Sequence, residues 1–88
     1  MIREKLTIQN KLGVHTRAAA KLVNTAKRYA SRVELAFNDR LVDGKSIMSV
    51  ITLGAQKDHV VDFIITGEDE QECLAALTLL VNEKFGED

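Results

Sequence analysis

The sequence predicts an α+β open-faced sandwich of order βαββαβα, three helices on one face of a four-stranded, mostly antiparallel sheet. Three observations carry this. Apolar and polar residues alternate in short runs around Leu6 and Ile8, around Val33, Leu35 and Phe37, and around Val61, Phe63 and Ile65, the pattern of half-buried strands. Between those runs the apolar spacing changes to three and four, the repeat of an amphipathic helix. The 88 residues suffice for one domain, residues 1–88, able to bury roughly 60–70% of its unfolded surface.

In the first strand Leu6 and Ile8 face one way and Lys5, Thr7 and Gln9 the other; it ends in the loop Asn10-Lys11-Leu12-Gly13. A helix begins at Thr16. Ala19, Leu22, Val23, Ala26 and Ala30 share its apolar side, and Arg17, Ala20, Lys21, Asn24, Lys27 and Arg28 the other, with Lys27 and Arg28 placed to close its negative end. In the second strand Val33, Leu35 and Phe37 alternate with Arg32, Glu34 and Ala36. Asn38-Asp39 turns the chain into a short third strand, Arg40 to Asp43.

Gly44-Lys45-Ser46 opens a short helix over residues 47–53, which Gly54 stops. The fourth strand sets Val61, Phe63 and Ile65 against Asp62, Ile64 and Thr66. Asp69, with Glu72 three residues on, has the form of a capping box. It starts a last helix whose core stripe is Leu74, Leu77, Val81 and Phe85, widened by Cys73 and Leu80.

The net charge of −1 hides a division along the chain. From Lys5 to Arg32 there is no Asp or Glu, whereas the segment after Lys57 carries nine acidic residues against Lys84 alone. The basic half would attract phosphate or an acidic protein surface, over about 8 Å in physiological salt. The single cysteine, Cys73, cannot form an internal disulfide and lies in an apolar stripe, which predicts a packing role. With no signal peptide or long apolar run, the expectation is a cytoplasmic, monomeric protein without membrane insertion.

The most informative stretch is Leu12-Gly13-Val14-His15-Thr16-Arg17. It delivers an imidazole to the start of a helix, where unpaired backbone N–H groups and aligned peptide dipoles favour an anion. An imidazole with the ordinary pKa of about 6.5 is mostly neutral near pH 7 and so able to attack phosphorus. Thr16 supplies the first helical N–H, and Arg17 a guanidinium that matches phosphate oxygens in geometry and charge. The same residues suggest neither a general base, a metal cluster nor a substrate cleft. That points to a carrier without metal or cofactor rather than a stand-alone catalyst.

Gly13-Val14-His15-Thr16-Arg17-Ala18-Ala19, followed at the right distance by Gly44-Lys45-Ser46-Ile47-Met48-Ser49-Val50, resembles the HPr family, the histidine-containing phosphocarriers of the phosphoenolpyruvate-dependent phosphotransferase system. The likeness spans nearly the whole chain. Many members have proline where this chain has Ala18, a change that loses some rigidity in the first turn but no functional group. The resemblance implies that the δ1 nitrogen of His15 takes a phosphoryl group from enzyme I and gives it to enzyme II acceptors, in a sugar-uptake or a nitrogen-related branch. It further implies that Ser46, read from the residues alone as a helix N-cap, is open to phosphorylation by an HPr kinase/phosphorylase.

The short second helix has more apolar residues than one core-facing stripe needs. With Val50 and Leu53 inward, Ile47, Met48 and Ile51 are expected to form an exposed docking patch, extended by Ala20 on the first helix. His59 lacks a basic or glycine context and reads as surface structure. Gly44-Lys45-Ser46 is not a nucleotide-binding loop, because Asp39 stands where a glycine would be required. Nucleic-acid binding is disfavoured by the scarcity of aromatic residues, three Phe, one Tyr and no Trp. The remaining rival is a regulatory adaptor of the same fold that signals through Ser46 without phosphoryl transfer.

Overall fold

A computed structural model describing residues 1–87 has four strands, three α-helices and a final 3-10 turn. In chain order these are β1 (Ile2–Thr7), α1 (Thr16–Ala26), β2 (Arg32–Phe37), β3 (Arg40–Asp43), α2 (Ile47–Thr52), β4 (Val60–Thr66), α3 (Glu70–Asn82) and the 3-10 turn Lys84–Gly86. The sheet order is β1-β4-β2-β3, and every pairing is antiparallel. Two-residue phase decides which side each residue serves. Leu6, Val61, Phe63, Ile65, Val33 and Leu35 are buried on the helix side, in one cluster with Leu22, Val23, Val50, Leu77 and Phe85.

On the opposite face the register sets Lys5 across from Asp62 and Arg3 across from Ile64. Asp62 takes ion pairs from both cations, at 2.6 Å to Arg3 and 2.9 Å to Lys5. Those hydrogen bonds, from Lys5 and from Arg3, hold its carboxyl below the usual aspartate range.

Several boundaries differ from those expected. β1 begins at Ile2, and Ile8, though buried, lies past its end, its N–H bonded to the His59 carbonyl. α1 stops at Ala26, so Lys27 is its C-cap and Arg28 and Ala30 lie outside; neither basic residue sits in the last turn. Phe85 is in the core but beyond α3, in the 3-10 turn.

The capping box at Asp69 is also corrected. Asp69 stands at the N-cap of α3, but its side chain makes no cap hydrogen bond. Its carboxylate reaches across to the end of α1's connection, accepting from Ala30 N (2.8 Å), Ser31 N (2.9 Å) and Ser31 Oγ (2.5 Å). A tertiary site offering three donors outcompetes a local one offering one. Glu70 instead accepts from Gly67 N at 3.1 Å.

Candidate functional site

The loop from β1 into α1 is shaped by two residues. Gly13 has φ +69°, and a Cβ there would lie 2.7 Å from the Ala55 carbonyl oxygen, so only glycine fits. Asn10 is fully buried and donates through Nδ2 to the Gly13 carbonyl at 2.6 Å. The Val14 N–H bonds Ala55 O at 2.9 Å, pinning the loop to the segment after α2. The chain therefore enters α1 on a rigid path.

His15 is the N-cap of α1, with extended backbone (φ −83°, ψ −177°). Its Nδ1 accepts from Arg17 N at 3.3 Å, the part that a Ser or Asp oxygen usually plays at this position. The His15 carbonyl already takes the first helical hydrogen bond, from Ala19 N at 2.8 Å. The imidazole is 26% exposed, so one nitrogen faces helix amides while the ring remains reachable. Thr16 opens the helix and Arg17 is exposed beside it. Ala18, in the position of the missing proline, is fully buried in the core.

Glu87 completes the site, although in sequence it is one acidic residue among the nine of the second half. Its Oε2 lies 2.5 Å from His15 Nε2, and its Oε1 accepts from Asn10 Nδ2 at 3.0 Å. The residues around His15 in sequence offer no such carboxylate; the fold brings it from the other end of the chain. Burial pushes the Glu87 carboxyl up, but the hydrogen bonds from Asn10 and His15, with the positive field of the ring and Arg17, hold it below the usual glutamate range.

The segment that delivers Glu87 is unusual. Lys84, Phe85 and Gly86 have φ of 58°, 55° and 76°, three successive left-handed residues. The two that are not glycine cost about 1–2 kcal/mol each. Burying the Phe85 ring, which is fully enclosed, offsets this with about 1.5–3 kcal/mol. Lys21 Nζ donates to the Phe85 carbonyl at 2.7 Å. Lys11, Leu12, Arg17, Gly86 and Glu87 line a shallow depression of about 460 Å³.

Ser46 is the N-cap of α2, its Oγ accepting from Ser49 N at 3.4 Å. Gly44 is required just before it, since a Cβ there would lie 2.5 Å from Val33 Cγ1. Lys45 is tied to the Tyr29 carbonyl at 2.7 Å. Val50 and Leu53 are buried as expected, and Met48 is 69% and Ile47 37% exposed. Ile51 departs from the expected patch: it is half-buried and packs against the core. Ala20, also half-buried, lies on α1, which packs beside α2. His59 accepts from Gln56 N and stacks on Phe37 at 4.9 Å, a structural use of the ring.

A family model described as the PTS HPr component phosphorylation site matches residues 2–83. The chain belongs to the HPr family, the phosphocarriers of the phosphotransferase system. It is 44% identical over 87 residues to the phosphocarrier protein HPr of Neisseria meningitidis serogroup A, covering 99% of this chain and 98% of that protein. Its fold superposes with a TM-score of 0.96 on HPr-C-His from Thermoanaerobacter tengcongensis, at 38% identity, covering 100% and 99% of the two chains. An HPr dimer from the same organism gives 0.79 at 38% identity, covering 99% of this chain and 100% of that one. The HPr family is thus evident in sequence and in backbone alike.

Proposed function

We propose that residues 1–88 act as one phosphocarrier domain in which His15 Nδ1 accepts a phosphoryl group from enzyme I and passes it to enzyme II acceptors. The observation that carries this reading is the His15 ring at the N-cap of α1, its Nδ1 against the Arg17 amide and a quarter of its surface open. A phosphoryl group on Nδ1 takes over the amide that the ring nitrogen now occupies, and the Thr16 N–H and the Arg17 guanidinium stabilise its oxygens. The protein then contributes a nucleophile, a moderate anion site and a docking face; the phosphohistidine is the covalent intermediate.

Ala20, Ile47 and Met48, with the rim of Ile51, form that docking face, and contacts near 1,200 Å² in total suit rapid exchange of partners. The carrier works as a cytoplasmic monomer, free of nucleic acid. No helix among the described residues is long and apolar enough to cross a membrane. Ser46, half-buried at the cap of α2, is the point at which a kinase would add negative charge to this face.

Incubation with enzyme I and phosphoenolpyruvate tests the proposal. Incorporation of an acid-labile, base-stable phosphoryl group that disappears in His15→Ala supports it. Absence of incorporation would leave the regulatory adaptor, acting through Ser46 alone. Pairing the charged protein with sugar-branch and nitrogen-branch acceptors in turn identifies its branch.

A further inference from the structure

Nucleophilic attack through Nδ1 requires that nitrogen to hold a lone pair, and therefore requires the ring proton to sit on Nε2. We infer that Glu87 is the positioning residue that fixes this tautomer, its carboxylate accepting from His15 Nε2 while Asn10 holds the carboxylate in place. The inference rests on the phosphocarrier reading of His15.

The geometry is directional at each link. Asn10 Nδ2 is committed as a donor by the Gly13 carbonyl at 2.6 Å, and its second hydrogen goes to Glu87 Oε1 at 3.0 Å. Glu87 Oε2 is left to face Nε2 at 2.5 Å, and an ionised carboxylate only accepts. With the proton drawn to Nε2, Nδ1 accepts from Arg17 N. The carboxylate is 14% exposed, which keeps water from competing for the ring. Phe85, buried in the core, and Lys21, bonded to its carbonyl, hold the segment that carries Glu87.

This arrangement lets the phosphoryl group move without a proton moving. The Nδ1 lone pair attacks the phosphorus of a phosphorylated donor. The new N–P bond forms as the bond from phosphorus to the donor's leaving atom breaks, and that atom keeps the electron pair. The ring becomes a phosphoryl-imidazolium with its proton still on Nε2, and the Glu87 charge balances it. Delivery to an acceptor returns the pair to Nδ1. The same carboxylate repels the incoming phosphate before attack, so transfer rates alone do not report its role, whereas the tautomer does.

Nitrogen-15 correlation spectra of His15 with the ring neutral, recorded for the wild type, Glu87→Ala and Glu87→Gln, make the test. The wild type is expected to hold the proton on Nε2 and Glu87→Ala to show both tautomers. Glu87→Gln is expected to do worse than alanine. Asn10 claims the amide oxygen, the amide NH2 then faces Nε2, and the proton is forced to Nδ1, as when an amide replaces the orienting carboxylate of a catalytic histidine. Phosphorylation of Glu87→Gln by enzyme I is expected to be at least about tenfold slower than that of Glu87→Ala, the reverse of what conservative packing would give. An unchanged tautomer in Glu87→Gln, or equal spectra for the two variants, would overturn the inference. The spectra need no phosphoryl donor, so they decide the positioning role even where the wild type takes up no phosphate, a result that counts against the carrier reading only.

Discussion

Lys21 Nζ donates to the Phe85 carbonyl oxygen at 2.7 Å, joining α1 to the left-handed turn that carries Glu87 to His15. The bond links residues 64 positions apart, so the histidine's surroundings depend on both halves of the chain. Lys21→Met keeps the aliphatic stem but removes the donor. It is expected to cost about 1–2 kcal/mol, a fall in melting temperature of roughly 4–8 °C per kcal/mol for a domain of this size. Calorimetry measures the loss, and the His15 nitrogen shifts are expected to move towards those of Glu87→Ala.

Gly13→Ala is expected to damage the site from outside it. The methyl group meets the Ala55 carbonyl at 2.7 Å while the residue is held at φ +69°. Neither can relax without moving the loop that positions His15. A loss of at least about 2 kcal/mol in urea unfolding is expected, together with slower phosphorylation. Wild-type stability in this variant would show that the loop is not rigid.

The Asp69 carboxyl is held below its ordinary value of 3.8 by hydrogen bonds, the Ser31 hydroxyl's the largest, followed by the Ala30 amide's. A group whose folded value is depressed stabilises the protein above its unfolded pKa, and that contribution fades as pH falls through the folded value. The native state is therefore expected to weaken below about pH 4 through this group. Asp69→Asn is expected to be less stable at pH 7 and to show a flatter acid limb in urea midpoints between pH 6 and pH 2.5. An acid limb as steep as the wild type's would assign the sensitivity to other carboxylates.

Met48→Glu and Ile51→Glu separate docking from packing. Met48 is 69% exposed, and its substitution is expected to change stability by no more than about 0.5 kcal/mol while weakening enzyme I binding by about tenfold or more. Ile51 is half-buried against the core, and a partly desolvated carboxylate there is expected to lower the melting temperature as well. Titration calorimetry with enzyme I, paired with thermal melts, distinguishes them. Unchanged affinity in Met48→Glu would move the docking face elsewhere.

Local pattern was a good guide wherever local forces decide. The phases of Val33, Leu35, Val61, Phe63 and Ile65 follow from strand alternation, and the N-cap Ser46 from residue type at a change of period. Asp69 and Glu72 satisfy the same kind of rule without forming the capping box, because Ser31 and Ala30, 38 and 39 residues away, compete for the Asp69 carboxylate. Ile51 is less exposed than the spacing along α2 suggests, because its side chain lies at the edge of the core, and the packing of neighbouring elements decides exposure there.

The strand and helix order, the core phases and the imidazole at a helix start are legible in the chain, because each is a consequence of spacing along the backbone. The meeting of Asn10 and Glu87 at that imidazole, 5 and 72 positions from it along the chain, emerges only with three-dimensional packing. Glu87 resembles any acidic residue of the second half until the buried Phe85 and the left-handed turn aim it back at α1. A hydrogen bond between distant residues has no periodicity; it exists only once the hydrophobic core has brought its two ends within 3 Å.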